Sequence, residues 1–123
     1  EFDAANGALI IIDDNNNNRS VDAGERTRTY TLENLVRFGR ASASALSFGS
    51  ADITFTQTVN GLPSVTFHRN GAASQDGAVY LSSTRAIAGD ASRQSDTRAV
   101  AVDRPTGRVE WWRYDGSAWH QGF

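Results

Sequence analysis

Short apolar runs and alternating polar–apolar stretches, separated by glycine, asparagine and proline, recur along the chain and predict strands. Residues 8–12 (ALIII) form a continuous apolar run, which is typical of a strand buried on both faces. Residues 26–32 (RTRTYTL) alternate strictly and carry threonine and tyrosine, which favour sheets. The other predicted strands are residues 53–57, 65–69, 79–82, 98–103 and 108–114. We therefore expect an all-β fragment built of antiparallel strands in one or two packed sheets.

The clearest predicted hairpin joins residues 98–103 to residues 108–114. The intervening Arg104-Pro105-Thr106-Gly107 has proline second and glycine fourth, which fits a type I turn. Such a turn places Asp103 roughly opposite Arg108, where the two side chains are expected to form an exposed ion pair of about 0–1 kcal/mol.

The last predicted strand has an aromatic residue on each face. Alternation places Val109, Trp111 and Arg113 on one face, and Glu110, Trp112 and Tyr114 on the other. One face must belong to the core, and the other presents an aromatic ring to solvent or to a partner. We predict that the hairpin is central to the core and that five residues are largely buried: Phe55, Phe67, Val100, Val102 and Val109.

Two segments do not fit the strand pattern. In residues 31–46, leucines recur at helical spacing, but Gly39 interrupts them, so we expect an extended segment through residues 35–38 followed by a loop of small residues. Residues 83–97 are polar and are expected to form a long surface loop. A helix of more than three turns is not expected anywhere.

Length and composition indicate one soluble domain spanning residues 1–123. The net charge of -2 argues against a surface built throughout for nucleic acid, although a local arginine patch remains open. The sequence contains no cysteine, which excludes disulfides, thiolate metal sites and cysteine nucleophiles. It also contains no apolar run of the length that a membrane-spanning helix needs.

Few residues point to catalysis. The two histidines, His68 and His120, lie on a predicted strand and near the end of the chain, where solvated or hydrogen-bonded side chains are the ordinary interpretation. Asp13 and Asp14 are adjacent, so their side chains diverge on a strand. Because no nucleophile–base motif, phosphate-binding glycine loop or zinc motif is present, we expect no enzymatic activity.

The asparagine-rich stretch at residues 12–25 (IDDNNNNRSVDAGE) has the ligand spacing of a calcium-binding EF-hand loop. Arg19 occupies the place where that loop needs glycine, and no flanking helices are expected, so a plain hairpin turn is the alternative. If a calcium site exists, we expect it to be weak. The candidate ligands at relative positions 1, 3, 5, 7, 9 and 12 are Asp14, Asn16, Asn18, Ser20, Asp22 and Glu25.

Three tryptophans fall near the end of the chain, at Trp111, Trp112 and Trp119. Exposed tryptophans stack on sugar rings or bases, and buried ones fill small β cores. A glycan-binding β-sandwich module is therefore one alternative function for this chain.

The order of motifs along the chain resembles that of one family. An apolar strand leads into the asparagine-rich stretch, and four further segments follow: LVRFG at 35–39, VTFHRNGAAS at 65–74, VYLSS at 79–83 and RAVAVDRPTGRVEWWRYDGSAW at 98–119. This order resembles the globular head of the GspH/FimT family. The family comprises the H-type pseudopilins of type II secretion and minor pilins of type IV pili.

Three family features map onto this sequence. The Gly-Glu that ends the family's hairpin corresponds to Gly24-Glu25, and its Thr-Phe turn segment corresponds to Thr66-Phe67 with Gly71. The Thr-Gly-Arg-Val of its terminal hairpin corresponds to residues 106–109. The family's N-terminal segment, a processed start on a long hydrophobic helix, is not among these 123 residues.

The resemblance implies a structural subunit rather than an enzyme. The fold would be α+β if the N-terminal helix were included. The protein would be a membrane-anchored precursor whose head is periplasmic or extracellular and which is incorporated into a filament. Its expected partners are other minor pilins or pseudopilins and, through that helix, the inner-membrane assembly machinery. No cofactor and no small-molecule substrate are expected.

DNA capture is a further function found in this family. Some minor pilins bind DNA through a C-terminal Gly-Arg-x-Arg segment, but here the corresponding residues are Gly107-Arg108-Val109-Glu110. A carboxylate in place of the second arginine repels phosphate, and binding DNA needs several phosphate contacts. Three arginines remain candidates for a nucleic-acid-binding cluster: Arg104, Arg108 and Arg113.

Overall fold

The structure, a computed structural model, describes residues 1–122, of which 35% are in strands and only 8% in helices. The predicted all-β class is confirmed. No helix in this part of the chain is long and apolar enough to span a membrane. The strands are β1 (Phe2–Asp3), β2 (Ala8–Ile12), β3 (Thr27–Thr31), β4 (Val36–Phe38), β5 (Thr58–Val59), β6 (Leu62–Pro63), β7 (Gly77–Ser83), β8 (Arg98–Val102), β9 (Val109–Tyr114) and β10 (Trp119–Gln121).

A five-stranded antiparallel sheet in the order β10-β9-β8-β7-β4 forms the centre of the fold. Its middle strands form a meander in which Val79 pairs with Val100 and Val100 with Trp111. Since directly paired residues share a face, Val79, Val100 and Trp111 lie on one face and Tyr80 lies on the other. The predicted hairpin of the last strands is therefore present and central.

The hydrophobic core lies on the Val79 face of this sheet. Phe55, Ala73, Val79 and Val102 are buried together. The ring of Phe2 stacks on Phe55, with centroids 5.5 Å apart. This contact joins the N-terminal strands to the central sheet.

The opposite face is closed by the segment at residues 40–49. Tyr80 is fully buried there, and its hydroxyl accepts a hydrogen bond from the N–H of Leu46 at 2.8 Å. The indole N–H of Trp119 donates to the carbonyl of Ser44 at 2.8 Å, and its ring packs 5.2 Å from that of Tyr114. Burial raises the pKa of the Tyr80 hydroxyl. Small residues on β7 and β8, namely Ala78, Ala99 and Ala101, let this segment approach the sheet.

A smaller sheet in the order β1-β2-β3 carries the N-terminal hairpin. The apolar strand β2 was predicted to be buried on both faces, which is wrong: Ile11 is 47% exposed. All five residues of β3 are exposed as well. The reason is that the sheet is held at one end, by Phe2 of β1 and the buried Ala8 of β2, so its outer part has no covering layer.

Two predicted strands are not formed. Residues 53–57 and 65–69 contribute only single bridges, Ile53 with Val79 and Phe67 with Ala73. The backbone N–H groups of Thr56 and Gln57 donate instead to the side-chain oxygen of Gln75, at 3.1 and 3.3 Å. A side chain therefore replaces the partner strand that alternation had suggested.

The predicted core is right in part. Phe55 and Val102 are buried and Val100 is half-buried. The prediction is wrong for Phe67 and Val109, which are 52% and 40% exposed. Both lie beyond the patch that Phe2 and Phe55 cover, so no segment of the described chain closes over them.

Residues 83–97 form short helical turns rather than the predicted loop. The helix α1 spans Thr84–Ile87, and a 3₁₀-helix spans Ala91–Asp96. The Ser83 hydroxyl accepts from the N–H of Ala86 and the Asp90 carboxylate accepts from the N–H of Ser92, which satisfies free donors at each start. Both helices are short, in line with the expected absence of long ones in residues 1–122.

The β8–β9 turn differs from the prediction in its side chains. The carboxylate of Asp103 accepts from the hydroxyl of Thr106 at 2.6 Å, and Arg108 pairs with Glu110 at 3.5 Å, so the expected Asp103–Arg108 ion pair is absent. The N–H of Gly107 donates to the carbonyl of Asp103 at 2.8 Å, one residue further than in a simple type I turn. Gly107 takes the left-handed conformation, with φ of 64°.

Gly107→Ala tests this turn. A Cβ at this position would overlap the carbonyl oxygen of Gly71. We expect the free energy of unfolding to fall by about 2–6 kcal/mol, since left-handed backbone and overpacking each cost about 1–3 kcal/mol. Chemical denaturation measures the change. Gly116→Ala is the control, because Gly116 also has positive φ but a Cβ there would point into open space. Equal losses in both variants would contradict the close approach to Gly71.

Candidate functional site

The asparagine-rich loop is held by its own carboxylates. Both oxygens of Asp14 accept backbone N–H groups, from Asn18 at 3.1 Å and from Arg19 at 2.8 Å. The oxygens of Glu25 accept from the N–H groups of Asn15 and Asp22, each at 2.9 Å. Each of these two carboxylates therefore bridges two backbone donors and fixes the path of the loop.

Asp22 is the third acceptor in this loop. One of its oxygens accepts from the side-chain amides of Asn16 and Asn18, at 2.8 and 2.5 Å. These hydrogen bonds lower the pKa of Asp22, because they stabilise its ionised form. Arg19 has φ of 60°, so it adopts the left-handed conformation that glycine supplies in a calcium loop.

The structure brings five of the six predicted calcium ligands into one hydrogen-bonded network: Asp14, Asn16, Asn18, Asp22 and Glu25. Ser20 takes part through its backbone N–H, which donates to Asn18. Asn16 and Asn18 direct their amide nitrogens at Asp22, whereas a cation needs their oxygens. Among residues 1–122, no group of three acidic, histidine or cysteine side chains is arranged to hold a metal. Calcium binding stays a prediction.

Thermal melting with calcium and with chelator distinguishes the two interpretations of this loop. If the network alone holds the loop, Asp14→Ala lowers the melting temperature equally in both conditions, since it frees the N–H groups of Asn18 and Arg19. Asn15→Ala is the control, because Asn15 is not at a ligand position. A rise of the wild-type melting temperature in calcium that Asp14→Ala abolishes would show a metal site. Calcium at a hundred times its dissociation constant would raise the free energy of unfolding by about 2.7 kcal/mol.

A shallow basic depression lies beside this loop. Its volume is about 440 Å³, and Arg19, His68 and Arg104 line it together with four small or apolar residues: Ala72, Ala73, Ser74 and Pro105. Arg104 is positioned by its backbone: its N–H donates to Asp76 at 2.6 Å, and its carbonyl accepts from Ala73 at 2.8 Å. Sequence reasoning missed this grouping, because its three basic residues are far apart in the chain and on different segments.

The three arginines predicted to bind nucleic acid are not brought together in one cluster. Arg104 lines the basic depression, while Arg108 pairs with Glu110 at 3.5 Å. Arg113 is five positions further along the chain than Arg108, or about 17 Å at the rise of a strand. It pairs across the sheet with Arg98 and His120.

Asp115 is the centre of a polar cluster in the β9–β10 turn. Its carboxylate lies 2.6 Å from Nε2 of His120 and accepts the Ser117 hydroxyl at 3.0 Å. It also accepts the N–H groups of Ser117 and Ala118, at 2.8 and 2.7 Å. Ser117, Asp115 and His120 are thus adjacent, but the serine and the histidine each contact the aspartate. The cluster therefore closes the turn and does not place the imidazole as a base on the serine hydroxyl.

The hydrogen bonds to Asp115 predict a pH dependence of stability. The N–H of Ala118 and the side chain of His120, followed by Ser117, hold the pKa of Asp115 well below its ordinary value of 3.8. A lowered pKa stabilises the fold above the unfolded-state pKa, and this contribution is lost as the pH falls through the folded-state value. Asp115→Asn should therefore be less stable than wild type at neutral pH, and the difference should shrink in acid.

Urea unfolding from neutral pH to acid below 3.8 measures this effect. Glu33→Gln is the control, since it removes a carboxylate from another exposed turn. A stability difference between wild type and Asp115→Asn that stays constant across the whole range would contradict the assignment.

The three tryptophans have different surroundings. Trp119 is packed between Tyr80 and Tyr114, and Trp112 is half-buried. Trp111 is 52% exposed and lies on the core face of the central sheet, two residues from the exposed Val109. We call the pair Val109 and Trp111 the β9 strip. It continues the apolar core surface, through the half-buried Val100, to the outside of the molecule.

Comparison of this chain with protein-family models, with curated proteins and with solved structures found no match.

Proposed function

We propose that this domain is the head of a minor pilin or pseudopilin, a structural subunit that takes part in assembling or priming a type IV pilus or a type II secretion pseudopilus. The order of motifs along the sequence suggests the class. The observation that carries the proposal in the structure is the β9 strip, an apolar surface continuous with the core. Filament subunits need such surfaces, because each must bury part of itself against a neighbour.

The position of the β9 strip agrees with this function. Trp111 pairs with Val100 and Val109 pairs with Val102, so the strip sits beside the residues that Phe2 and Phe55 cover. A neighbouring subunit or an additional helix laid on this face would extend the existing core instead of forming a separate contact. Large aromatic side chains at the centre of such contacts contribute most of the binding energy.

The glycan-binding alternative has less support from the site. Of the three tryptophans, Trp119 packs against two tyrosine rings and Trp112 is half-buried, whereas Trp111 is 52% exposed. Its neighbours on the same face include the aliphatic Val109 and Val100, which offer no hydrogen bonds to sugar hydroxyls. The polar residues near the ring are Arg113 on the same face and Arg108, Glu110 and Gln121 around a shallow depression, so one exposed ring is the stacking surface available to a sugar.

One observation bears on the DNA-binding alternative. The basic depression places Arg19, Arg104 and His68 together, which would suit one or two phosphate groups. Its charge is local, however, and the chain carries a net charge of -2. Binding of duplex DNA depends on several phosphate contacts and therefore requires a longer basic surface. Glu110 pairs with Arg108 and neutralises part of the positive charge that such a surface would need.

Co-purification with minor pilin-like proteins encoded beside this gene tests the proposal. We expect the wild-type head to retain at least one of them. Trp111→Ala should weaken that interaction about thirtyfold or more, because an aromatic anchor at an interface contributes about 2 kcal/mol or more. Trp111 is half exposed in the isolated domain, so we expect the fold to survive this change.

Leu35→Ala is the matched control, since Leu35 is 67% exposed and apolar but lies before β4, at the opposite edge of the sheet. Equal weakening by both variants, or retention of none of the neighbouring proteins by the wild type, would contradict the proposal. The coding sequence upstream of Glu1 gives an independent test: a prepilin cleavage site and hydrophobic helix support the class, and a catalytic domain refutes it.

A further inference from the structure

Strand β3 forms an open edge of the N-terminal sheet. The sheet order is β1-β2-β3, so one side of β3 pairs with β2 and the other side has no strand beside it in the described chain. All five residues, Thr27–Thr31, are exposed. The other edges are shorter: β10 and β4 have three residues each, and β1 has two.

The register fixes which backbone groups point outward. The N–H of Leu32 donates to the carbonyl of Gly7, and the N–H of Asp13 donates to the carbonyl of Arg26. In an antiparallel pair, hydrogen-bonded positions alternate. Arg28 and Tyr30 therefore direct their backbone groups toward β2, and Thr27, Thr29 and Thr31 direct theirs to the open side.

This edge has few of the features that usually prevent strands from adding to it. Such features are proline, charged side chains (lysine above all), bulges and inward-pointing charge. The residues Thr27–Thr31 contain no proline or glycine, and their pairing with Ala8–Ile12 is continuous, without a bulge. Arg28 is the single charged residue of the strand.

The sequence of β3, TRTYT, is matched to an antiparallel copy of itself. When two copies pair about a two-fold axis at Thr29, Thr29 faces Thr29 of the second copy, and Thr27 faces Thr31. These are the positions whose backbone groups point outward, so each facing pair exchanges two hydrogen bonds. The backbone requirement and the residue pattern thus select the same register.

The side chains fit this register as well. On one face, threonines oppose threonines, a cross-strand pair that stabilises antiparallel sheets. On the other face, Arg28 opposes Tyr30 of the second copy, where a guanidinium can lie over the ring. No like charges face each other within the strand. Tyr30 is 51% exposed, so its ring is accessible.

We infer that β3 is a self-association edge, through which two copies of this domain pair antiparallel about Thr29 to form one continuous six-stranded sheet. This inference goes beyond the proposed function and does not depend on it, since it rests on the N-terminal sheet and not on the β9 strip. A contact of five residues a side is small, so it is weak between free molecules and is favoured where copies are concentrated.

Single-cysteine variants test the register directly, because the natural chain contains no cysteine. In Thr29→Cys the two sulfurs meet at the axis, where paired Cα atoms lie about 5.5 Å apart, within disulfide reach. Oxidation of concentrated protein should therefore give a covalent dimer. In Thr27→Cys the equivalent residues are about 14 Å apart along the strands and should not cross-link. A mixture of Thr27→Cys and Thr31→Cys should form a heterodimer.

Ser47→Cys, on an exposed loop over the other sheet, controls for random collision. Equal dimer yields from Thr29→Cys, Thr27→Cys and Ser47→Cys would overturn the inference. So would failure of Thr29→Cys to cross-link at all.

Sedimentation velocity provides a second measurement without cysteine. The wild type should sediment increasingly as a dimer as its concentration rises toward about 1 mM, the range of weak contacts. Thr29→Pro should abolish this increase and keep the fold, because proline is tolerated where the N–H faces away from the sheet. Circular dichroism checks the fold. A dimer unaffected by Thr29→Pro, or a monomer at every concentration, would overturn the inference.

Discussion

The fold depends on one close contact, the ring of Phe55 lying over the backbone of Gly77. A Cβ on Gly77 would come within 2.5 Å of that ring, so only glycine allows Phe55 to reach the sheet here. Phe2 then stacks on Phe55, and Phe38 meets Phe2 edge to face at 6.2 Å. The N-terminal sheet is fixed to the central sheet through this stack, because Phe2 is the residue by which the described part of that sheet packs against the core cluster.

The two faces of the central sheet are closed by different means, and this difference determines what remains open. Alanines on one face allow the segment at residues 40–49 to pack closely around Tyr80. The other face is covered by separate aromatic rings instead of a continuous layer. That cover ends before β9, so Val109 and Trp111 are left exposed although they lie on the core side of the sheet. An apolar surface at this place is a consequence of the packing and the basis of the proposed role in a filament.

The sequence predicted elements whose partners are near in the chain. Strands β2, β3, β7, β8 and β9 were identified, because apolar runs, alternation and the turn after Val102 specify local pairing. Residues 53–57 were predicted as a strand that does not form, since their backbone N–H groups donate to the side chain of Gln75, and alternation carries no information about such a partner. The exposure of Val109 and the grouping of Arg19, His68 and Arg104 depend on which segments cover which face. Those contacts are long-range, and no local pattern encodes them.

The asparagine-rich loop and the open edge of β3 follow from the same arrangement. A hairpin with little burial is marginal in water, so β2 and β3 need support from outside their own side chains. The β1 strand and Phe2 supply it at one end, where the backbone of Glu1 pairs with Ile10. At the other end, Asp14, Asp22 and Glu25 satisfy the donors of the turn. Since both ends are held without any layer against β3, the strand can remain ordered and still be exposed. An edge of this kind is already in the conformation that strand pairing requires. It therefore loses less conformational entropy when a second strand binds than a flexible segment would.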